Sequence, residues 1–304
     1  MNRSLTLTLL GTAVAFCSVE MVAFQQAERP KVRLIQHIKD NLYWIPGGEV
    51  RDRATWTGGN TAVFVTSQGV VLVDTMFSGS GAGIIEQVKT VTDKPITTII
   101  HTHPHLDHTG GDQDFPNSVE FVAQENTKSD MAALPAFQGD KAKVLARKTF
   151  KDRMSMFEGK DRIDLYFLGK GHTDGDTWVV FPALGVMHTG DIVSRKAMPV
   201  CDVLASHGSC VENDQTLRNA LRTIKGVNTI IGGHAQTLMS WADLEEYADF
   251  YSEFVNNAKA AREAGKSVDE AAAAYKPSDR FKAYEIDPAR VKTNTQLIFA
   301  ELQK

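Results

Sequence analysis

The chain of 304 residues is short of cysteine, with three, and short of net charge, with 33 Lys and Arg against 37 Asp and Glu for a formal value of −4. That balance leaves no basic footprint of the kind nucleic-acid binding needs, so no nucleic-acid partner is expected. No apolar run long enough to span a bilayer occurs beyond the extreme N-terminus, which excludes a multi-span membrane protein. There is no Cys-x-x-Cys, so a dithiol redox motif is absent. Fixed-period repeats are also missing, and the one biased stretch is Ala271–Ala274. Solenoids and linker arrays are therefore excluded.

What remains is ordinary globular composition, 42% hydrophobic and 23% charged, sufficient for a sizeable core. The start carries a short basic Met1-Asn2-Arg3, an apolar stretch from Leu5 to Phe16, and Ala13-Val14-Ala15 in the small-x-small form used for leader cleavage. A polar Gln25-Gln26-Ala27-Glu28-Arg29 follows before Pro30. Residues 1–29 thus read as a signal peptide and linker, giving a periplasmic or secreted protein with no membrane attachment beyond that leader. Cys17 falls on this segment. Cys201 and Cys210 either pair across a short loop, which an oxidising compartment permits, or remain two buried thiols.

From residue 30 to 304 strands and helices interleave without a compositional break, so one α/β domain is expected. Thr61–Thr66 and Val70–Asp74 flank the turn Ser67-Gln68-Gly69 as a hairpin. Gly81–Val91 has Ile84, Ile85 and Val88 at helical spacing, and Pro95–Ile100 is again a strand. Residues 126–153 read as mostly helical and polar. Strands are expected at Ile163–Leu168, Thr177–Phe181, Gly185–His188 and Asn228–Ile231, with a helix from Asp214. Ser240-Trp-Ala-Asp243 is a capping box opening C-terminal helices from about residue 240, with Trp241, Leu244, Ala248, Tyr251 and Val255 on one core-facing stripe.

The chemistry concentrates after Pro95–Ile100, in His101-Thr-His-Pro-His-Leu-Asp-His108. Four imidazoles and a carboxylate in eight residues are costly in a core, because each needs a polar partner. At a strand end they read as a metal site, since imidazole suits zinc, iron and copper and a carboxylate adds an oxygen ligand. His103-x-His105 places two rings on one side of an extended segment. The adjacent Asp107 and His108 are expected to point apart, toward a second ion. Gly171-His172, His188-Thr-Gly-Asp191 and Gly232-Gly233-His234 each follow a strand, with glycines that let the backbone approach closely.

The order His103-x-His105-x-Asp107-His108, His172, Asp191, His234, with later spacings of 67, 19 and 43 residues, resembles the metallo-β-lactamase superfamily over roughly residues 55–240. The resemblance implies an αβ/βα sandwich, two mixed β-sheets face to face with helices on the outer faces and metals at one sheet edge. It also implies two zinc ions per chain, one on His103, His105 and His172, the other on Asp107, His108 and His234, with Asp191 bridging. The implied activity is hydrolysis of a small carbonyl substrate (β-lactam, lactone, ester or thioester) by a hydroxide shared between the ions, with Asp107 orienting it and taking its proton. The best-known zinc β-lactamases carry Cys or Ser where Asp191 stands, and a bridging Asp is more similar to glyoxalase II, lactonases and phosphodiesterase-type members. No basic pair of the glutathione-binding kind lies near the C-terminus, and the leader suits a periplasmic β-lactamase.

Two other classes are a mononuclear iron dioxygenase acting on persulfides and a non-catalytic metal-binding protein; the complete ligand set argues against both. His101 and His188 read as neighbours of the ligands rather than ligands, His207 as a loop residue, and His37 as strand surface. Asp74 either supports the site or caps a helix. Trp44, Trp56 and Phe77 lie on segments bordering the cleft, where packing alone also explains them. Gly47–Gly59, Thr75–Gly83 and Val193–Glu212 are expected to line the pocket, and the helices after Trp241 either cap it or form a dimer face.

Overall fold

Strands with both faces apolar need cover on both sides, and this chain supplies it by stacking two sheets between helices. The computed structural model describes residues 31–303; the leader, its cleavage site and Cys17 lie outside them. The first sheet runs β1 (Gln36–Lys39), β2 (Leu42–Ile45), β3 (Thr61–Val65), β4 (Val70–Val73), β5 (Ile96–Ile100), β6 (Glu120–Gln124) and β7 (Lys148–Phe150) in spatial order. Pairing is antiparallel from β1 to β4 and parallel from β4 to β7. The second sheet holds β8 (Arg153–Met156), β9 (Ile163–Tyr166), β10 (Trp178–Phe181), β11 (Val186–His188), β12 (Thr229–Ile231) and β13 (Met239–Ser240). Here only β11 and β12 are parallel. Both sheets are mixed, as expected.

Alternation along the strands builds the layers. Val71, Val73, Phe64 and Ile100 meet Leu165, Val179, Phe181 and Ile231 between the sheets, where the rings of Phe64 and Phe181 lie 5.0 Å apart. Val63, Leu72, Ile99 and Phe121 turn the other way, onto Ile84 and Val88 of α1 (Gly81–Lys89). A four-residue turn of helix, α2 (Leu106–Thr109), and α3 (Glu125–Ala133) complete that side. Trp178, Val180, Met187 and Ile230 face α4 (Glu212–Thr223), α5 (Trp241–Glu263), α6 (Val268–Ala274) and α7 (Pro288–Glu301). The capping box at Ser240 and Asp243 is formed, and Leu244, Ala248, Tyr251 and Val255 are buried; Trp241 is only half-buried.

Residues 126–153 depart from expectation. The helix stops at Ala133 because Leu134 takes an extended conformation before Pro135, as residues preceding proline do. Short 3-10 turns follow, and Lys148 onward joins the sheets. Polar composition there reflected edge strands and turns, not a solvated helix.

The topology brings the ends of β4, β5, β11 and β12 to one edge, since Val73 pairs with Ile100 and His188 with Ile231 in parallel register. Asn60 ties the two sheets together at that edge. Its backbone N–H donates to Gly233 O at 2.7 Å, and its Nδ2 donates to Gly232 O at 2.7 Å and Ala235 O at 2.8 Å.

Cys201 and Cys210 form a disulfide, settling the alternative left by sequence. Replacing both by Ser is expected to lower stability by about 2–3 kcal/mol, the loop-closure entropy of a short loop, read as a shifted urea midpoint.

Candidate metal centre

From the end of β5 the chain bends through Thr102, His103 and Pro104 and is extended at His105, just before α2, and the rings of residues 103 and 105 come to the same place. His103 is fully buried; its Nδ1 lies 2.9 Å from Thr102 Oγ1, and its Nε2 has no hydrogen-bond partner. His105 Nδ1 lies 2.9 Å from His172 Nε2, while its Nε2 is held 2.9 Å from Asp202 Oδ2. The His172 Nδ1–H donates to Val200 O at 2.8 Å. One nitrogen of each ring is thus tethered outward and the other converges, with the donor atoms of His103, His105 and His172 within 4.8 Å of one another.

Asp107, His108 and His234 form a second such group. The expectation that Asp107 and His108 point apart is not met. They sit on the helical turn α2 rather than on extended chain, and Asp107 Oδ2 lies 3.8 Å from His108 Nε2. Consecutive side chains about 100° apart on a helix can serve one ion, whereas on a strand they face opposite ways. His234 Nε2 is 3.2 Å from Asp107 Oδ2 and 3.3 Å from His108 Nε2.

Asp191 reaches both groups. Its Oδ2 lies 3.1 Å from His234 Nε2 and 3.9 Å from His172 Nε2, and its Oδ1 lies 3.5 Å from His108 Nε2. All seven residues singled out by sequence therefore converge. The two flanking glycines that matter are Gly59 and Gly233. A Cβ at Gly59 would come within 2.1 Å of the His108 ring, and one at Gly233 within 1.9 Å of Asp191 Oδ1.

Electrostatics divides the cluster. Burial, then neighbouring imidazoles, push His103 well below the ordinary histidine range and His172 down to about 4. Burial acts the same way on His234, but Asp191 and hydrogen bonds to Asp107 and Asp191 outweigh it and raise that ring to about 9. For His108, burial is likewise outweighed by the carboxylates of Asp107, Asp191 and Asp74, which hold it well above its usual value. Burial would raise Asp191, yet His234 and His108 keep it well below the carboxylate range. Converging imidazole nitrogens, four of the five rings tethered on the other nitrogen, plus two ionised carboxylates are the donor set that zinc takes. The orphaned His103 Nε2 fits a metal ligand and has no other partner among the described residues.

The surrounding residues answer the open alternatives. Asp74 supports the site: at φ 64°, fully buried, its Oδ2 is 2.7 Å from both His108 Nδ1 and Thr102 Oγ1. His101 is buried behind the ligands, its Nε2 2.9 Å from Asp112 Oδ2. His188 accepts the Gly190 N–H at Nδ1 and donates from Nε2 to Asn60 O, fixing the turn that carries Asp191. His207 and His37 are exposed, and His207 lies beside Asp130, away from the ligands. Trp44 is packed between the sheets. Trp56 borders the cleft, with its ring 5.9 Å from His234 and 4.9 Å from Phe77 beneath it.

A cavity of about 300 Å³ opens over the cluster. Gly47–Gly59 contributes Val50 and Trp56 to it, and Val193–Glu212 contributes Ser194, Arg195 and the run from Ala197 to Val200. Thr75–Gly83 contributes no lining residue but supports Trp56 through Phe77. The C-terminal helices do cap the cleft, through Tyr247 and Arg290. Sequence reading missed Asp202 and Thr102 as ligand-holders. Thr102 sits inside the histidine run, a usable signal; Asp202 is 97 residues from His105, with no local pattern linking them.

The family model described as the metallo-beta-lactamase superfamily matches residues 54–246. The chain is 29% identical over 251 residues to a metallo-beta-lactamase type 2 of Elizabethkingia meningoseptica, covering 78% of this chain and 92% of that protein. It is 25% identical over 187 residues to one of Bacillus sp. (strain 170), covering 58% and 66%. Among solved structures, DIM-1 metallo-beta-lactamase superposes with a TM-score of 0.59 at 19% identity, over 74% of this chain and 99% of that one. The sec-alkylsulfatase Pisa1 from Pseudomonas sp. gives 0.70 at 15% identity, over 88% of this chain and 50% of that one, so the chain spans half the sulfatase's length. At these identities the structural likenesses speak for the αβ/βα fold.

Two expectations follow. His105→Ala should abolish binding at the three-histidine group, and Asp202→Ala should weaken zinc affinity there about 10–100-fold, read by competition with a chromogenic chelator. His105, His108 and His234 all carry raised values in the metal-free protein, so metal binding must displace protons from these rings. Calorimetry in buffers of different ionisation enthalpy should show net proton release on zinc binding at pH 7, with the share of His234 falling as pH passes about 9.

Proposed function

The chain belongs to the metallo-beta-lactamase superfamily and is a metal-dependent hydrolase, and from that premise we propose that it is a dinuclear zinc enzyme cleaving a small carbonyl substrate, with a β-lactam as the leading candidate. The observation that carries this reading is Asp191, whose carboxylate lies beside both groups of three ligand atoms, Oδ2 near His172 and His234 and Oδ1 near His108. Relatives described as metallo-beta-lactamases type 2 favour the β-lactam within the wider class of lactones, esters and thioesters.

Zinc in such a pair supplies Lewis acidity, polarising a carbonyl and bringing a water's pKa toward neutrality. The protein's part follows from its residues. His103, His105 and His172 would hold one ion, Asp107, His108 and His234 the other, with Asp191 between them. Asp107 is the ligand whose side chain remains most open to the cavity on the second group, 18% exposed against 7% for His234 and none for His108. Its Oδ2 can therefore orient the attacking water and accept its proton. Burial opposes ionisation of Asp107, but His108 and His234 hold it below the ordinary carboxylate range, so it is available as the base at neutral pH. Trp56, Met198, Pro199 and Val200 give the cavity an apolar wall that takes the substrate's body and keeps bulk water out. A volume near 300 Å³ suits a small-molecule partner.

The assembled Asp107, His108 and His234 disfavour a mononuclear iron dioxygenase, which needs one metal group only. A phosphodiesterase-type hydrolase would use the same ligands; the sequence relatives described as metallo-beta-lactamases type 2 favour the carbonyl substrate over it. Export is the compartment we infer, from the leader-like residues 1–29 and the Cys201–Cys210 disulfide. Among the described residues no helix is long and apolar enough to cross a membrane.

Zinc-loaded protein should hydrolyse a chromogenic cephalosporin or, failing that, one of a panel of lactones and thioesters. Asp107→Asn should lower kcat about 10²–10⁴-fold, the usual weight of a positioned base, while His103, His105 and His172 still hold their ion. Turnover of none of these substrates, or oxygen uptake with a persulfide, would overturn the reading.

A further inference from the structure

Donor atoms of Asp130, Asp174 and His207 lie within 4.8 Å of one another, and none of these residues belongs to either ligand group of the paired centre. Three segments supply them. Asp130 comes from α3, Asp174 from the turn after His172, and His207 from the loop that the Cys201–Cys210 bridge closes. Hydrogen bonds hold the segments together. Asp174 N donates to Ser206 O at 2.9 Å, Asn126 Nδ2 to Asp174 O at 2.8 Å, and Thr127 Oγ1 to Gly175 O at 2.8 Å. A Cβ at Gly175 would come within 2.5 Å of Thr127 N, so glycine is needed for the turn to pass this close to α3.

The two carboxylates are poorly served by their surroundings. The Asp130 side chain is only 10% exposed; its Oδ1 lies 3.2 Å from His207 Nδ1, but its Oδ2 is buried with no hydrogen-bond partner among the described residues. Asp174 Oδ1 is buried and without a partner in the same way. Among the described residues no lysine or arginine forms an ion pair with either acid, and Lys170 acts on Asp174 only from a distance. Burial, then the charge of Asp174, lifts the Asp130 carboxyl above its ordinary value, as expected of one acid pressed against another. Asp202, on the same loop as His207, adds negative charge nearby, but both its oxygens are committed. Its Oδ2 lies 2.9 Å from His105 Nε2, and its Oδ1 accepts from Ala205 N at 3.0 Å.

A buried carboxylate oxygen without a donor is unfavourable, and the single contact from an exposed imidazole offsets that for one oxygen only. We propose that Asp130, Asp174 and His207 form a further metal site, separate from the paired centre, that takes zinc through two carboxylate oxygens and one imidazole nitrogen. An imidazole in the set selects zinc and like transition ions over calcium and magnesium, which favour oxygen alone. Three protein ligands leave a position for water on the exposed side where His207 stands. With one imidazole and an open position, the site is weaker than the paired centre and fills when zinc is supplied in excess. An ion there cross-links the disulfide loop to α3, and that loop also carries Asp202, the support of His105.

The test is a calorimetric titration of zinc chloride into zinc-loaded protein freed of excess metal by gel filtration. Wild-type protein should bind about one further ion per chain, more weakly than those it retains, and calcium chloride should give no such event. His207→Ala should leave the retained ions and the melting temperature unchanged. It should weaken the further event by more than the roughly 10–100-fold that losing an outer support costs. Asp130→Asn should do likewise, while His37→Ala, the same change at another exposed histidine, should leave the event intact. No further event in wild type, an event that survives His207→Ala, or an equal response to calcium would each overturn the proposal. Because the readout is the ion that depends on His207, the result stands whatever number the paired centre retains and whether or not the protein hydrolyses any substrate.

Discussion

The Asp191 carboxylate, set between two groups of imidazoles at the edge where the two sheets meet, is the interaction on which the site depends. Without its charge, His108 and His234 would lose much of what opposes their burial, and the two ligand groups would share no atom. Its placement is fixed from several sides. His188 accepts the N–H of Gly190, Asn60 binds the carbonyls of Gly232 and Ala235, and Gly233 leaves just enough room for Asp191 Oδ1. The fold delivers these pieces because parallel pairing of β11 with β12 brings Asp191 and His234 out level with one another.

Around that carboxylate four of the five imidazoles are oriented by a partner on the far nitrogen: Thr102 for His103, Asp202 for His105, Val200 O for His172 and Asp74 for His108. These outward bonds settle which nitrogen faces the centre before any ion arrives, so less ordering is needed on binding. Two of them, Val200 and Asp202, flank Cys201, and the disulfide to Cys210 closes the loop that holds them. The C-terminal helices extend the same logic outward, since Asn294 anchors the carbonyl of Pro199 beside Val200. Covalent closure, loop and helix thus brace one side of the three-histidine group.

Much of this was legible in the sequence because the ligand residues cluster by short spacing or stand directly after β-rich runs. Four imidazoles in His101–His108 cannot be explained by packing, and glycines beside His172, Asp191 and His234 marked close approach. The hairpin at 61–74, the α1 face of Ile84 and Val88, and the Ser240 cap carried local signals strong enough to survive folding. Asp202 and Asn60 were illegible for a physical reason. Each acts across 97 to 175 residues of chain, and contacts at that range leave no periodic trace. Asp107 and His108 were misdirected because the switch from strand to helical turn at Leu106 follows a proline-containing stretch in which period alone does not choose between them. Residues 126–133 are helical as expected, but 134–153 are not, because Leu134 turns extended before Pro135 and the short 3-10 turns and polar edge strands that follow lack an apolar alternation to announce them.

The central claim is a paired metal centre, and the direct measurement is metal content by mass spectrometry on protein purified without added metal. The account predicts about two zinc ions per chain. One iron per chain, or no metal with none taken up on reconstitution, would contradict it.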